Sequence, residues 1–233
     1  MGKRIISQAR GHGGKTYRVR RQAYKYRIGY PSVKMVGDAV IVKLINSSGH
    51  SAPLAKIMID KTTFYNPACQ GNFEGQKIVI GGSDIEIGNI MQLKHLPIGT
   101  RIFNIEKKPG DGGKICRTSG SFATVIKTSK ENSVLLMSNK KEIKINGDCR
   151  VTIGMIAGQG RIMKPVVRAG KKHHMMKSRN KFWPRTSAVK VNAVDHPFGG
   201  GRGKRIKSKI AKRNSPPGRK VGHILPRKTG KRK

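Results

Sequence analysis

The residues most suggestive of chemistry lie at positions 193–205 (AVDHPFGGGRGKR), where an Asp–His pair stands beside three glycines. An aspartate can orient a histidine and raise its basicity, so Asp195 and His196 are the candidates for a general base. Adjacent side chains seldom point at each other, however, and no Ser or Cys nucleophile signature accompanies the pair. The pair alone therefore argues only weakly for catalysis, and we predict no catalytic residue beyond this candidate.

The three glycines suit a backbone that lies flat against a polyanion. Gly199, Gly200 and Gly201 have no Cβ atoms, so their N–H groups can come within contact of phosphates or base edges. Pro197 restricts His196 to extended conformations, which fixes the direction of its side chain. The nucleic-acid contacts predicted in this stretch are His196, Gly199, Gly200, Gly201, Arg202, Lys204 and Arg205.

The cysteines and histidines do not form a metal-binding pattern. Cys69, Cys116 and Cys149 are far apart, which favours buried or half-buried thiols in a reducing compartment over a disulfide framework or a metal knuckle. His173 and His174 are adjacent, which is a poor geometry for one metal ion because neighbouring side chains diverge. We predict no metal site and no cofactor, apart from Mg²⁺ that RNA would hold.

The charge makes nucleic acid the leading partner. The chain has 50 Lys and Arg against 11 Asp and Glu, and a net charge of +39 repels itself unless a polyanion neutralises it. Residues 1–35 contain ten basic and no acidic side chains, and residues 176–233 contain nineteen basic side chains against Asp195 alone. Residues 36–175 carry only +11. This distribution predicts a globular centre with two cationic tails.

The centre shows the pattern of short β-strands. The first series comprises GDAVIVKLIN, APLAKIMID and QKIVIGG, and the second comprises TRIFNIE, SFATVIKTS, NSVLLMS, KEIKIN and CRVTIGMIA. These segments are β-branched and apolar, and turn residues such as PGDGG separate them. Short strands at this spacing predict a mainly β protein with two successive small barrels.

Four regions follow from charge and strand pattern together. We predict a basic N-terminal arm at residues 1–35, a first barrel at 36–97, a second barrel at 98–175, and an extended basic C-terminal tail at 176–233. From Gly199 onward the only appreciable apolar cluster is VGHIL, so this part of the tail cannot offset its own ordering entropy. We expect it to become ordered on a partner.

Aromatic residues stand among the cations. The arm segment GHGGKTYRVRRQAYKYRIGYP places tyrosines between Arg and Lys; their rings can stack on bases or pack on the first barrel, and the composition permits both. For Trp183 we favour a packing anchor, which would hold the start of the C-terminal extension to the second barrel, over stacking on a nucleotide. Outside residues 193–205, the predicted RNA-binding residues are Arg10, Lys15, Arg18, Arg20, Arg21, Lys25, Arg27, Lys171, Lys172, His173, Lys177, Arg179, Lys181, Arg185, Arg219 and Lys220.

Five long motifs carry a resemblance that extends over nearly the whole chain. They are SAPLAKIMID, KKPGDGGKICRTSGSFATVI, CRVTIGMIAGQGRIMKPVVRAGKKHH, WPRTSAVKVNAVDHPFGGG and PPGRKVGHILPRKTGKRK. Together they resemble the universal large-subunit ribosomal protein L2 family. The APLAK, DHPFGG and GRKVG segments resemble its archaeal and eukaryotic-type branch, and the modest length and the start at MGKRI are most like an archaeal member.

The resemblance implies a fold and a function. The implied fold is an OB-fold barrel followed by an SH3-like barrel, with both tails inserted in large-subunit rRNA. The implied function is that of a structural constituent of the large ribosomal subunit in the cytoplasm, a primary rRNA-binding protein that organises rRNA near the peptidyl-transferase centre and supports subunit association and tRNA binding. Implied partners are rRNA, neighbouring ribosomal proteins and the small subunit at the interface.

Three other interpretations compete with this one. His196 acting as general base in peptide-bond formation requires hydrogen-bond reach to the reacting amine, and Phe198 stands where bacterial members have a second histidine. A DNA-packing protein explains the charge but not two β cores of moderate charge. A membrane-surface protein needs amphipathic helices, whereas Gly and Pro break the basic stretches here, and no apolar run could span a bilayer. We predict an RNA-binding protein that has no membrane partner and is not an enzyme.

Overall fold

The computed structural model describes residues 2–19, 23, 25–129, 131–201 and 210–225. The chain divides into two compact units. The central unit is Arg21–Val167, and the terminal unit combines Met1–Arg20 with Arg168–Lys233. Within the described ranges, no helix is both long enough and apolar enough to cross a membrane.

The central unit is built on β-strands, as the sequence predicts. Its described residues form β1 (Gly37–Ile45), β2 (Leu54–Ile59), β3 (Thr62–Pro67), β4 (Lys77–Ile80), β5 (Ile90–Gln92), β6 (Arg101–Phe103), β7 (Ala123–Lys127), β8 (Asn132–Met137), β9 (Glu142–Asn146) and β10 (Arg150–Ile153). They join one sheet in the order β3-β2-β1-β4-β5-β10-β6-β7-β8-β9. Neighbouring strands are antiparallel except β4 and β5, which pair in parallel. The prediction of a mainly β protein is confirmed.

Two apolar cores lie along this sheet. The first gathers side chains from β1 to β5, including Ile41, Ile57 and Ile78, and the second gathers side chains from β5 to β10, including Ile102 and Val151. Strand β5 contributes to both cores, because successive side chains of a strand point to opposite faces. Ile90 packs in the first core and Met91 in the second. The two cores therefore meet at this strand.

A buried ion pair connects the loop after β6 with β10. Glu106 is fully buried and Arg150 is 7% exposed. The guanidinium of Arg150 donates to Glu106 Oε1 from Nη2 at 2.9 Å and from Nε at 3.2 Å. The same carboxylate accepts the backbone N–H groups of Arg150, Gly110 and Gly112 at 2.8, 3.2 and 3.1 Å. These donors replace the water that the carboxylate loses on burial.

A hydrogen-bond network surrounds the hydroxyl of Tyr30, whose ring centroid lies 5.2 Å from Arg150 Cζ. The Tyr30 hydroxyl donates to the carbonyl oxygen of Asn104 at 2.6 Å and lies 2.7 Å from Thr152 Oγ1. Asn66 Nδ2 in β3 donates to the same Thr152 oxygen at 2.9 Å. Burial raises the pKa of Tyr30 far above its ordinary value, so the hydroxyl stays protonated and able to donate. The network ties both halves of the sheet to the segment before β1.

Part of the predicted basic arm thus packs in the central unit. Ala23, Ile28 and Tyr30 are buried there, and the ring of Tyr26 lies 5.0 Å from that of Tyr65. Of the two roles open to the arm tyrosines, Tyr30 takes the packing role. Tyr24 lies outside the described residues.

The terminal unit contains two α-helices and a short strand pair in its described residues. The helices are α1 (Ile6–Gly11) and α2 (Ala169–Ser178), and β11 (Ile210–Ala211) pairs in parallel with β12 (His223–Ile224). The sequence analysis predicts none of these elements. The backbone N–H of Lys3 donates to the carbonyl oxygen of Val194 at 2.9 Å, so the two chain ends are hydrogen-bonded within this unit.

The buried ion pair yields a stability prediction. Glu106→Gln leaves the Arg150 guanidinium buried without its countercharge, so we expect the free energy of unfolding to fall by about 3–5 kcal/mol. The matched control is Asp148→Asn, because Asp148 pairs with Lys94 at 2.9 Å with half of its side chain exposed. We expect that variant to change the free energy by less than about 1 kcal/mol. Urea unfolding followed by circular dichroism measures both, and equal losses would contradict the role given to Glu106.

Candidate nucleic-acid interface

The predicted RNA-binding cations in the described part of the chain are exposed. They are Arg10, Lys15, Arg18, Lys25, Arg27, Lys171, Lys172, Lys177, Arg179, Lys181, Arg185, Arg219 and Lys220. Within the described ranges none of them pairs with a carboxylate. Their charge is therefore available to phosphates. The predicted contacts Arg20, Arg21, Arg202, Lys204 and Arg205 lie outside the described residues.

Four of the predicted residues meet in one cleft of the terminal unit, here named the Trp183 cleft. Its lining residues are Lys15, Thr16, His173, Lys177, Asn180, Lys181, Phe182 and Trp183. The cleft has a volume of about 630 Å³. The cleft brings together residues from near the start of the chain and residues some 160 positions later. Local sequence patterns cannot show such a contact.

Helix α2 and its C-terminus build one side of this cleft. His173 and Lys177 are four residues apart and so lie on the same face of the helix. The helix ends in a Schellman motif, in which Lys181 N–H donates to the carbonyl oxygen of Met176 at 3.0 Å and Asn180 N–H to that of Lys177 at 3.1 Å. Asn180 has φ +50°, a left-handed conformation that Asn tolerates better than most residues. The motif turns the chain back, and residues 181–183 join the lining.

Trp183 lines the cleft and contacts a lysine of helix α2. It is half-buried, and Lys172 Nζ lies 5.3 Å from the centroid of its ring, within the range of a cation–π interaction. This contact lies within the terminal unit, and the predicted packing of Trp183 on the second barrel stays a prediction. The indole also lines the cleft, so packing and access to a ligand are compatible here.

The adjacent histidines and the cysteines give no sign of a metal site. The rings of His173 and His174 meet edge to face with centroids 5.7 Å apart. In the described ranges no group of three or more His, Cys, Asp and Glu side chains is arranged to hold an ion. Cys69 and Cys149 are buried, Cys116 is half-buried, and all three thiols are free, as predicted. Burial raises the pKa of Cys116 to about 11, so its thiol stays protonated at neutral pH.

Asp195 and His196 do not form a catalytic dyad in this structure. The Asp195 carboxylate lies 3.9 Å from Lys3 Nζ, in an exposed ion pair. His196 Nδ1 accepts a hydrogen bond from the backbone N–H of Phe198 at 3.1 Å, and the two rings lie 5.1 Å apart. Because Nδ1 accepts, the neutral imidazole carries its proton on Nε2. In that tautomer, Nε2 is the nitrogen of His196 that can donate a hydrogen bond.

The glycines after His196 have an internal structural role. Gly199 N–H donates to the carbonyl oxygen of His196 at 2.9 Å, and Gly200 N–H to that of Val191 at 3.1 Å. A Cβ atom on Gly199 would overlap the carbonyl oxygens of Val191 and Asn192. Both amides are thus occupied within the loop. Gly201 has open space around it, so of the three glycines it best suits the predicted close approach of the backbone to phosphates or base edges.

Two further clefts are lined both by predicted RNA-binding residues and by basic residues that are not predicted from the sequence. In the terminal unit, His196 and Arg219 share a cleft with Arg4. In the central unit, Arg27 shares a cleft with His50 and Arg117. Burial, and then repulsion by Arg117, lower the pKa of His50, which keeps its ring neutral at pH 7. The RNA-binding residues are predicted from dense runs of charge with interleaved aromatic residues. Arg4 and Arg117 lie in no such run, so the sequence does not indicate them.

The fold and the site define a strongly basic, mainly β protein in which exposed cations from both chain ends have no carboxylate partner within the described ranges. A family profile described as "Ribosomal Proteins L2, C-terminal domain" matches residues 86–218. The chain is 43% identical over 240 residues to "Large ribosomal subunit protein uL2" of Archaeoglobus fulgidus, covering 100% of both chains. The protein of the same name from Hyperthermus butylicus is 39% identical, and the match covers 100% of both chains. The one from Natronomonas pharaonis is 41% identical, and the match covers 99% of this chain and 97% of that protein. The chain therefore belongs to the ribosomal protein L2 family, and its resemblance to the archaeal-type branch is confirmed.

The internal role of the glycines predicts different effects at neighbouring positions. Gly199→Ala introduces a Cβ where two carbonyl oxygens already lie, so we expect the loop to lose about 1–3 kcal/mol of local stability. Gly201→Ala is the matched control, because nothing lies within 4 Å of its added Cβ. Hydrogen exchange at the Gly200 amide measures local opening. Protection that is unchanged in Gly199→Ala would show that the loop does not have this packing.

Proposed function

We propose that this chain is a structural constituent of the large ribosomal subunit, in the cytoplasm, with rRNA as its main ligand. The observation that carries the proposal is the set of exposed cations from both chain ends that have no carboxylate partner within the described residues. Phosphate contacts supply most of the affinity of such a surface. The family and the name "Large ribosomal subunit protein uL2" of its relatives support the subunit assignment.

In this proposal the central unit is a platform made of the two predicted barrels. The first core corresponds to an OB-fold barrel at residues 36–97 and the second to an SH3-like barrel at residues 98–175. The two apolar cores that meet at β5 support two barrels, but the second core also takes Met91, Leu93 and Leu96 from the range of the first barrel, and residues 168–175 belong to the terminal unit. A platform whose halves are joined by buried hydrogen bonds would hold the cations of Lys25 and Arg27 in a fixed register on RNA.

The terminal unit would organise rRNA near the peptidyl-transferase centre and so support tRNA binding and subunit association. Neighbouring ribosomal proteins and the small subunit would be its further partners, and any Mg²⁺ would be held through the rRNA. His196 would take part as a hydrogen-bond donor through Nε2, and Gly201 would allow the RNA backbone to approach closely.

Direct catalysis by His196 is not part of the proposal. A general base needs an unprotonated nitrogen within reach of the reacting amine. In the neutral ring, Nδ1 already accepts the Phe198 N–H, and Nε2 holds the proton. The Asp195 carboxylate, which would have to orient the ring, lies beside Lys3 instead. These contacts support a positioning role.

RNA binding through the terminal unit predicts a steep salt dependence. For six to ten phosphate contacts, the affinity for an rRNA fragment should fall roughly 10³–10⁵-fold between about 50 and 200 mM salt. Replacing both Arg219 and Lys220 by Gln should reduce the slope of log K against log salt by about 1.4–1.8. The control replaces exposed Lys61 and Lys140 of the central unit by Gln, with the same loss of charge. Fluorescence anisotropy measures the slopes; a slope near zero, or equal effects of the two double variants, would contradict the proposal.

The positioning role of His196 predicts the behaviour of His196→Gln. Glutamine keeps a hydrogen-bond donor but cannot act as a base at neutral pH. Subunits that assemble with this variant should therefore form peptide bonds at a normal rate in single-turnover assays. Well-assembled subunits that lose the roughly 10²–10⁴-fold contribution of a general base would restore the catalytic hypothesis.

A further inference from the structure

We propose that the Trp183 cleft binds a single unstacked nucleotide of RNA, with its base against the indole ring and its phosphates on the surrounding lysines. The inference rests on the proposed function, because it assumes that the ligand of the terminal unit is RNA. It further states that the RNA bound in the cleft is a loop, a bulge or a single strand.

The lining of the cleft has the chemistry of a nucleotide site. Lys15 comes from the arm, Lys177 from α2 and Lys181 from the segment after it, so ammonium groups come from three parts of the chain. No acidic residue is among the described residues that line the cleft. Its volume of about 630 Å³ falls within the range of small-ligand sites. A flat aromatic ring bordered by cations matches a base with its attached phosphates.

The aromatic ring is held in place before any ligand arrives. The Schellman motif fixes the backbone up to Lys181, and Lys172 Nζ lies over the indole of Trp183 at 5.3 Å from the ring centroid. A stacking residue that is already positioned loses little conformational entropy on binding. The neighbouring Phe182 also lines the cleft and offers a second apolar surface.

Two polar side chains in the cleft are available to the edge of a base or to a 2′-hydroxyl. In the described structure, neither the Thr16 hydroxyl nor the Asn180 amide makes a hydrogen bond to protein through its side chain. An amide offers both donors and an acceptor, and a hydroxyl offers either. Both groups lie beside the cations and the indole, where an extruded nucleotide would present its polar atoms.

The ligand must be unstacked because of where the aromatic ring lies. A base inside an RNA duplex is covered on both faces by its neighbours, and its edges are paired. Only a nucleotide that has left the stack can place its face on Trp183 while its phosphates reach Lys177 and Lys181. Duplex RNA would meet the same lysines through phosphates alone.

The fluorescence of Trp183 reports on this contact, because it is the one tryptophan in the sequence. The full chain is titrated with a single-stranded oligoribonucleotide, with an abasic strand of equal phosphate number and with a blunt RNA duplex, and binding is followed separately by anisotropy of the labelled RNA. We expect saturable quenching by the base-containing single strand and little quenching by the other two at equal occupancy. Equal quenching by all three, or binding without quenching, would overturn the inference and leave the proposed function standing. Absence of binding in the anisotropy would instead overturn the proposed function.

Substitutions provide an independent test of stacking. Trp183→Leu should weaken binding of the single strand at least fivefold, and Trp183→Phe should restore part of the affinity. The matched control is Phe73→Leu, which removes an exposed aromatic ring from the central unit and should leave the affinity unchanged. Duplex affinity should be the same for Trp183→Leu and the unaltered chain. An equal loss of single-strand and duplex affinity would mean that Trp183 acts through the fold, and would overturn the inference.

Discussion

The contact between Glu106 and Arg150 is the constraint on which the central unit depends. Burying a carboxylate and a guanidinium is costly, and the cost is offset only where further donors complete the shell of each group. Here the carboxylate accepts backbone N–H groups from its own loop and from β10, and Arg150 Nη1 donates to the carbonyl oxygen of Pro31 at 2.9 Å. The pair thereby fixes three distant segments at once. The segment before β1, which leads back to the basic arm, is one of them.

The distribution of charge explains why the two units differ in their cores. Residues 36–175 carry little net charge and bury two apolar clusters, whereas the chain ends carry most of the excess of +39. In the described part of the terminal unit, Ile5 and Ala211 are the buried apolar residues. Backbone turns and short hydrogen-bonded elements therefore provide most of its order. A polyanion that bound this unit would stabilise it by mass action and relieve its self-repulsion.

Alternation of apolar residues was sufficient to predict eight of the ten strands described in the central unit. Strand β3 was missed because TTFYNP contains few apolar residues and ends in proline, and β5 was missed because it has only three residues. Helix α2 was missed because AGKKHHMMKS has no coherent apolar face. No local sequence pattern indicates the contacts between residues that are far apart in the chain. Glu106 and Arg150 are 44 positions apart, and Lys15 meets His173 only in the folded terminal unit.

The residue types of the candidate site could be predicted, but their arrangement could not. The cations predicted from charge runs with interleaved aromatic residues are exposed in the described ranges, and Asp195 contacts Lys3 while His196 accepts a hydrogen bond from Phe198. The structure gives a second reason for glycine at position 199, because a Cβ atom there would overlap carbonyl oxygens of the same loop. The sequence alone does not show this contact. Local sequence identifies a residue that tolerates close approach but does not identify what approaches it.

The central claim is that the cations of the terminal unit contact RNA in the large subunit. The most direct test is acetylation of lysines in the free chain and in the assembled subunit, read out by mass spectrometry. The account predicts that Lys15, Lys177 and Lys181 lose most of their reactivity on assembly, and that exposed Lys61 and Lys140 of the central unit lose less. Cleft lysines that react equally in the free and assembled states would contradict it.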